Sequence, residues 1–305
     1  MSLIIAALIP IAGVIALGWT LRRTGLVGPA LWPSINRLSY QALLPALLFS
    51  TISTAQFDGG QAGLFLLSVT ASFLVMGVIV FAFKPLPIDG PAFTSLFQGG
   101  VRWNGFVLLA LAAGIFGAEG AALVSLAFAP TVPLINIMCV AVLSIWGASE
   151  ASPDFKRVSL RILTNPLILA CAAGALANQA QWFQSGPVAD TAALAGRAAL
   201  PLILLAIGAG LDFSALKTRP GLLALSVTLK LVIAPAVFYA IALALGLEGL
   251  PLVLAVAMGA APGAAAAYVL ASEMGGDARL MAGHVTATTL LAFIALPVWI
   301  GIAGG

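Results

Sequence analysis

Apolar stretches of bilayer-crossing length follow one another along this chain almost without pause. A hydrocarbon layer of ~30 Å takes about 20 helical residues. In order, the candidates are 3–21, 38–54, 63–83, 91–118 and 120–148, then 162–179, 191–211, 221–247, 249–272 and 280–302. The pattern predicts an all-α membrane protein of ten transmembrane helices with short connections, the longest being the loop 149–161. Composition agrees: 8% of residues are charged, against about 25% in an ordinary soluble domain.

The positive charges test that count. With the N-terminus outside, the loops expected inside hold Arg22, Arg23, Arg37, Lys84, Lys156, Arg157, Arg161, Lys217, Arg219 and Arg279. Near the outer face there is only Arg197, while Arg102 and Lys230 fall within spans. Such an excess of inside Lys and Arg orients a membrane protein, and it puts both termini outside. The first apolar run lacks a basic segment before it, so it reads as an uncleaved span rather than a signal peptide. No lipidation or retention motif stands at either end. A net charge of +3, dispersed along the chain, does not suggest nucleic acid as a partner. Cys139 and Cys171 sit in apolar stretches and read as small buried side chains. A single histidine without a Cys/His cluster argues against a metal site.

One stretch breaks the apolar monotony. Phe97-Gln98-Gly99-Gly100-Val101-Arg102-Trp103-Asn104-Gly105 lies inside the fourth span. Its glycines weaken helix propagation by up to ~1 kcal/mol each. An arginine at bilayer depth costs at least ~2.5 kcal/mol, unless it snorkels to the surface. Backbone without helical hydrogen bonds at that depth must be buried in protein or line a wet cavity. A broken helix at a transport site satisfies both demands.

The two halves, 1–150 and 151–305, match weakly. Pro10 and Pro166 are 156 residues apart, and Ala42–Leu48 overlies Ala198–Leu204 at the same offset. Gly117-Ala118-Glu119 matches Gly275-Gly276-Asp277 at an offset of 158. Two five-helix repeats must enter the membrane in opposite orientation, which is the inverted-repeat plan of secondary transporters. The fourth helix of one repeat should then meet the ninth. That ninth span carries Met258-Gly259-Ala260-Ala261-Pro262-Gly263 in its middle, where proline removes a hydrogen bond and clashes with the preceding turn. At an offset of 158, Asn104 falls on Pro262 and Gly105 on Gly263.

Helix ends meeting at such breaks point partly positive amides into one cavity. Arg102 adds a full charge, and Gln98 and Asn104 add neutral donors and acceptors. A guanidinium suits a carboxylate, because two parallel hydrogen bonds can form. The expected substrate site is therefore Gln98, Arg102 and Asn104 with Ala261, Pro262 and Gly263, for a small organic anion. Asn136 either joins this cavity or bonds a neighbouring helix. His284 titrates near neutral pH in water, and Lys230 lies mid-span; both are candidates for ion coupling. No Asp or Glu falls at the middle of any span, so sodium coupling would have to use carbonyl and hydroxyl ligands alone.

With these residues identified, the chain resembles the auxin efflux carrier family, which includes plant auxin carriers and bacterial malonate- and malate-type permeases. The matching stretches begin with Gly18-Trp19-Thr20-Leu21-Arg22-Arg23-Thr24-Gly25-Leu26 and Leu44-Pro45-Ala46-Leu47-Leu48-Phe49. Arg102-Trp103-Asn104-Gly105-Phe106, Lys230-Leu231-Val232-Ile233-Ala234-Pro235 and Ala261-Pro262-Gly263-Ala264 follow. Gly275-Gly276-Asp277, Thr288-Thr289-Leu290 and Leu296-Pro297 complete the series. The resemblance implies a ten-helix fold of two inverted repeats, like that of bile-acid/sodium symporters. It also implies crossing broken helices 4 and 9, and an elevator-like movement between scaffold and transport parts of one membrane domain. Family members often have a proline soon after the fourth-helix asparagine; Val107–Leu111 contains none. Plant carriers commonly have a long central loop, so the short 149–161 favours the bacterial permease branch and the bacterial cytoplasmic membrane.

The sequence thus predicts a secondary transporter of a small mono- or dicarboxylate such as malonate or malate. It needs no cofactor and admits coupling to H+ or Na+. Its alternatives are a passive channel-like facilitator and an exporter of an auxin-like or other small metabolite. No HExxH or GxSxG motif and no paired intramembrane carboxylates point to an enzyme. The lipid bilayer is the expected surrounding, and a homodimer is compatible with the chain.

Overall fold

The structure is a computed structural model describing residues 2–56, 59–148, 160 and 163–304. Apart from Leu160, the loop 149–161 with Lys156, Arg157 and Arg161 lies outside the described residues. Those described form helices and no strand. The first half holds α1 (Ser2–Arg23), α2 (Leu31–Leu38), a π turn at Ser39–Leu43, α3 (Leu44–Ser53), α4 (Gly59–Phe81), α5 (Gly90–Val101) and α6 (Gly105–Trp146). The second holds α7 (Pro166–Gln179), α8 (Pro187–Arg197), α9 (Ala199–Ala209) and a 3-10 turn at Phe213–Lys217, then α10 (Pro220–Thr228) and a second π turn at Leu229–Ile233. It ends with α11 (Ala234–Ala244), α12 (Gly249–Ala260), α13 (Ala266–Glu273) and α14 (Ala278–Gly304).

Among the described residues, six helical stretches are long and apolar enough to cross a membrane. One of them, Gly90–Trp146, has 57 residues. As a single rod it would reach about 85 Å, nearly three hydrocarbon thicknesses. It is not a single rod: the chain is extended at Arg102, and Gly117 turns at φ 62, ψ −146. Only glycine adopts that pair of angles without a Cβ penalty. The expected span 249–272 is likewise divided, into α12 and α13.

Each π turn precedes a proline, Pro45 after the first and Pro235 after the second. Proline leaves the carbonyl four residues earlier without its helical donor. For Pro235 that carbonyl belongs to Leu231, and the Trp299 indole Nε1–H donates to it at 2.9 Å.

Two compact units share the chain, each drawing on both sequence halves. The first comprises Met1–Gly59, Phe106–Ala129 and Ser159–Gly210. Here α1 packs on α9 through glycine: a Cβ on Gly18 would run into the Leu205 backbone, and one on Gly208 into that of Ile15. Helices in lipid associate by such close backbone approach. The last carbonyls of α3 and that of Ala55, just beyond its C-cap Thr54, find donors in side chains. Asn178 Nδ2 serves those of Ile52, Ser53 and Ala55, and Gln184 Nε2 donates to Ser53 at 2.7 Å. Arg22 Nη1 donates to the Ala209 carbonyl, and Asn165 Nδ2 to the Tyr40 hydroxyl at 3.0 Å.

The second unit comprises Gly60–Gly105, Pro130–Val158 and Leu211–Gly305. Its inner elements are α5 and α12, buried on every side over 92–101 and 252–260. A helix apolar all round, as α12 is, belongs in such an interior. One end of the unit is tied by charge and backbone. Arg219 pairs with Asp89 and, at 3.1 Å, with Asp277. The Asp277 N–H donates to the Pro91 carbonyl at 3.0 Å, and the Ala148 N–H to that of Gly275 at 2.8 Å. Thus the start of α5, the end of α6 and the starts of α10 and α14 gather together.

Asp89 also caps α5, its Oδ1 accepting the Ala92 N–H at 2.9 Å. The Arg219 guanidinium, and then that amide, hold the Asp89 carboxyl below its ordinary range. A depressed carboxyl contributes stability that is present above its unfolded pKa of about 3.9 and lost as pH falls through the lowered folded value. Asp89→Asn, which keeps the cap, should cost at most ~1 kcal/mol because the pair is exposed. Asp89→Ala should cost a further ~0.5–2 kcal/mol. Thermal unfolding in detergent at neutral pH checks the order; equal losses would show that capping is not the larger contribution.

Candidate functional site

The two breaks have different local causes. Ala261 is extended, at φ −62 and ψ 144. Its successor Pro262 disfavours the helical region for the residue before it and brings no N–H of its own. In the first break, Arg102 is extended at φ −80, ψ 140, directly after α5. Gly99 and Gly100 do not interrupt this helix, contrary to the expectation that they weaken it. They sit inside α5, where a Cβ on Gly100 would meet the Val80 side chain and one on Gly99 would meet Ser226 Oγ and the His284 ring. Close packing, not backbone freedom, requires glycine there.

The breaks meet. The Asn104 N–H donates to the Pro262 carbonyl at 2.7 Å. The Gly263 N–H is taken by Thr288 Oγ1 at 3.0 Å, and that hydroxyl donates to the His284 carbonyl at 2.7 Å. The C-caps Arg102 and Ala261 lie 159 positions apart, an offset that sets Trp103 on Pro262 where the offset of 158 sets Asn104.

Arg102 is buried, at 8% exposure, and does not snorkel to the surface. Its Nη2 donates to Asn136 Oδ1 at 2.8 Å, a bond from the end of α5 to α6. The Cys139 thiol lies beside the same guanidinium, and Arg102 Nε has no hydrogen-bond partner. One helical turn earlier, Gln98 is fully buried with both amide atoms unpartnered. Asn104, Ala261, Pro262 and Gly263 are buried at the breaks themselves.

A second polar group adjoins the ninth-span break. The His284 ring shares a 2.7 Å hydrogen bond through Nδ1 with Ser226 Oγ, while its Nε2 has no partner. A Cβ on Gly263 would lie 2.6 Å from that Nε2. Lys230 is fully buried, its Nζ without a hydrogen-bond partner, and near enough to His284 to act on it electrostatically. Every Asp and Glu among the described residues is exposed or half-buried. Buried polar atoms without partners are uncommon in folded proteins. Gln98 and Arg102 carry theirs on the helix that ends at the first break, and Lys230 and His284 on elements packed against α5 and α12, while others lie elsewhere, at Trp32, Ser39, Gln61, Ser68 and Ser125.

Residues 3–300 match the model of a family described as membrane transport protein. The chain belongs to that family. It is of the auxin efflux carrier type that the motifs resemble. This membrane transport protein is also 27% identical over 291 residues to an uncharacterized transporter of Methanothermobacter thermautotrophicus, across 93% of each chain.

The residues alone assigned Ser226 no part, and Thr288 only a place in a motif of the family resemblance. The signal was present in spacing, since residues four apart on a helix are neighbours on one face: Ser226 precedes Lys230 by four, and Thr288 follows His284 by four. Arg197, expected to reach outward, is exposed.

Thr288→Val removes the acceptor of the Gly263 N–H and should cost ~1–3 kcal/mol, the price of a buried donor left bare. Thr288→Ser keeps the hydroxyl and should unfold close to the wild type. Thermal unfolding in detergent compares them; a valine variant as stable as the serine variant would show that this bond does not hold the break.

Proposed function

We propose that this transport protein is a secondary active carrier of a small organic anion, a mono- or dicarboxylate such as malonate or malate. It acts as a carrier rather than an enzyme, in the bacterial cytoplasmic membrane. Arg102 pairs with the carboxylate, Asn104 and Gln98 orient it, and the chain at 261–263 supplies backbone donors. The observation that carries this reading is a buried guanidinium with an unpartnered Nε–H at the meeting of two broken helices. Such an arginine matches a planar carboxylate, and broken helices at the bilayer midplane are where transporters of this plan bind substrate.

Ten crossings in two inverted five-helix repeats accord with the contacts between helix ends. Under that threading, Arg22 and Ala209 fall on the same side, as do Asp89, Ala148, Arg219 and Asp277. Within each unit these partners bond to one another. Dropping one crossing would place some of them on opposite faces of a ~30 Å layer. Transport then follows elevator-type alternating access, in which the unit containing the breaks carries the anion.

In proteoliposomes, Arg102→Ala should abolish uptake of labelled malonate or malate while the protein stays folded, and Arg102→Lys should retain only a fraction of it. Uptake unchanged by the alanine substitution would remove the arginine from the mechanism. A thermal-shift screen of mono- and dicarboxylates identifies the ligand, because stabilisation grows with the logarithm of its concentration over its dissociation constant.

A further inference from the structure

Lys230 sits on the π turn Leu229–Ile233, which packs against α5 and α12, the two helices whose ends form the break, and against α14. Its ammonium would be a lone charge with no exposure and no hydrogen-bond acceptor. Among the described residues of the elements packed around it there is no counter-ion. Helices α5, α10 and α12 contain no titratable side chain, and neither does α4, whose Phe73 packs on Phe238 of α11. Helix α11 contributes Tyr239, and α14 contributes Arg279 and His284. Arg102 lies at the end of α5, with the Cys139 thiol beside it. None of these is a carboxylate. A buried charge without a partner is costly, so the ammonium form of Lys230 calls for an anion beside it.

We infer that Lys230 takes up a proton when a dicarboxylate binds, so that anion and proton occupy the carrier together. This inference rests on the carboxylate reading above. A dicarboxylate brings two negative charges; Arg102 supplies one positive charge permanently, and protonated Lys230 supplies the second. The proton comes from solvent, and the complex of dianion, guanidinium and ammonium is neutral. A monocarboxylate is already balanced by Arg102 and gains nothing from the second charge. Linkage is reciprocal: the bound proton tightens the anion by the same factor as the bound anion tightens the proton. Selectivity for dicarboxylates and coupling to protons are then one property of one side chain.

Isothermal titration of the full-length protein in detergent, in two buffers of different ionisation heat, counts the protons bound with the ligand. Above neutral pH malonate is fully ionised and contributes none. Wild-type protein should take up about one proton per malonate, with affinity weakening about tenfold for each pH unit on the alkaline side. Propionate should bind with no proton uptake. Lys230→Met should bind malonate more weakly and without uptake, and His284→Gln should keep the uptake. If Lys230→Met does not fold, Lys230→Arg, always charged, should bind malonate without uptake. Malonate binding to wild type without a proton would overturn the inference and leave the carboxylate reading standing. So would uptake that survives in the lysine variants or vanishes in His284→Gln. If no mono- or dicarboxylate binds wild type, the carboxylate reading fails and the inference falls with it.

Discussion

The hydrogen bond from the Asn104 N–H to the Pro262 carbonyl is the constraint on which the second unit depends. A helix end inside a bilayer-spanning protein exposes amides and carbonyls that no water is present to satisfy. Two such ends placed back to back satisfy part of each other's need. The rest is met locally: Arg102 still donates its N–H to Gln98, and Gly263 donates to Thr288. Thr288 is anchored through its own hydroxyl on the His284 carbonyl, so α14 becomes the post to which the second break is tied. The irregular backbone is therefore held by specific donors and acceptors, and its conformation is not left to the flexibility of glycine.

A chain of consequences runs from one proline to the buried lysine. Pro235 lies directly against Gly259 of α12, where a Cβ would come within 2.6 Å of the Pro235 Cα. Without a side chain at 259 the two helices approach closely enough to enclose their shared surface. The same proline frees the Leu231 carbonyl, the backbone widens into a π turn, and Trp299 occupies the freed acceptor. Lys230 is carried on that turn and held inside the unit. Its burial follows from backbone geometry fixed by neighbours, even though the side chain alone would favour the surface.

Much of this was legible in the residues because hydrocarbon punishes polarity so heavily. Apolar stretches of bilayer length predicted helices, and each expected range has helix among its described residues. Pro262 announced the second break, through the hydrogen bond it removes and its clash with the preceding turn. Arg102 stood out as a charge where none belongs. What escaped notice had no such penalty attached to it. Ser226 and Thr288 are ordinary residues in apolar helices until the partner across the gap, His284 or Gly263, is known. The roles of Gly99 and Gly100 were misread because a glycine that loosens a helix and a glycine that admits a neighbour are the same letter. The pairing of Arg219 with Asp89 and Asp277 spans loops far apart in the chain, and nothing local announces it.

Charge in the second unit is sorted by depth. Its described carboxylates, Asp89, Asp212, Glu248, Glu273 and Asp277, are all exposed or half-buried, near helix ends. Its buried ionisable groups are an arginine, a lysine, a histidine and a thiol. A pocket built for a metal cation or a quaternary amine would need the reverse order, because a cation cannot be desolvated beside fixed positive charge without a compensating anion. An anion meets the opposite situation. Each step inward takes it away from carboxylates and toward guanidinium, amine and unpartnered amide donors, in surroundings where a charge-assisted hydrogen bond is stronger than in water. For the carrier proposed above, the sorting itself would discriminate by sign before any contact selects among anions, and the number of positive charges assembled at the break would set how many negative charges the cargo carries.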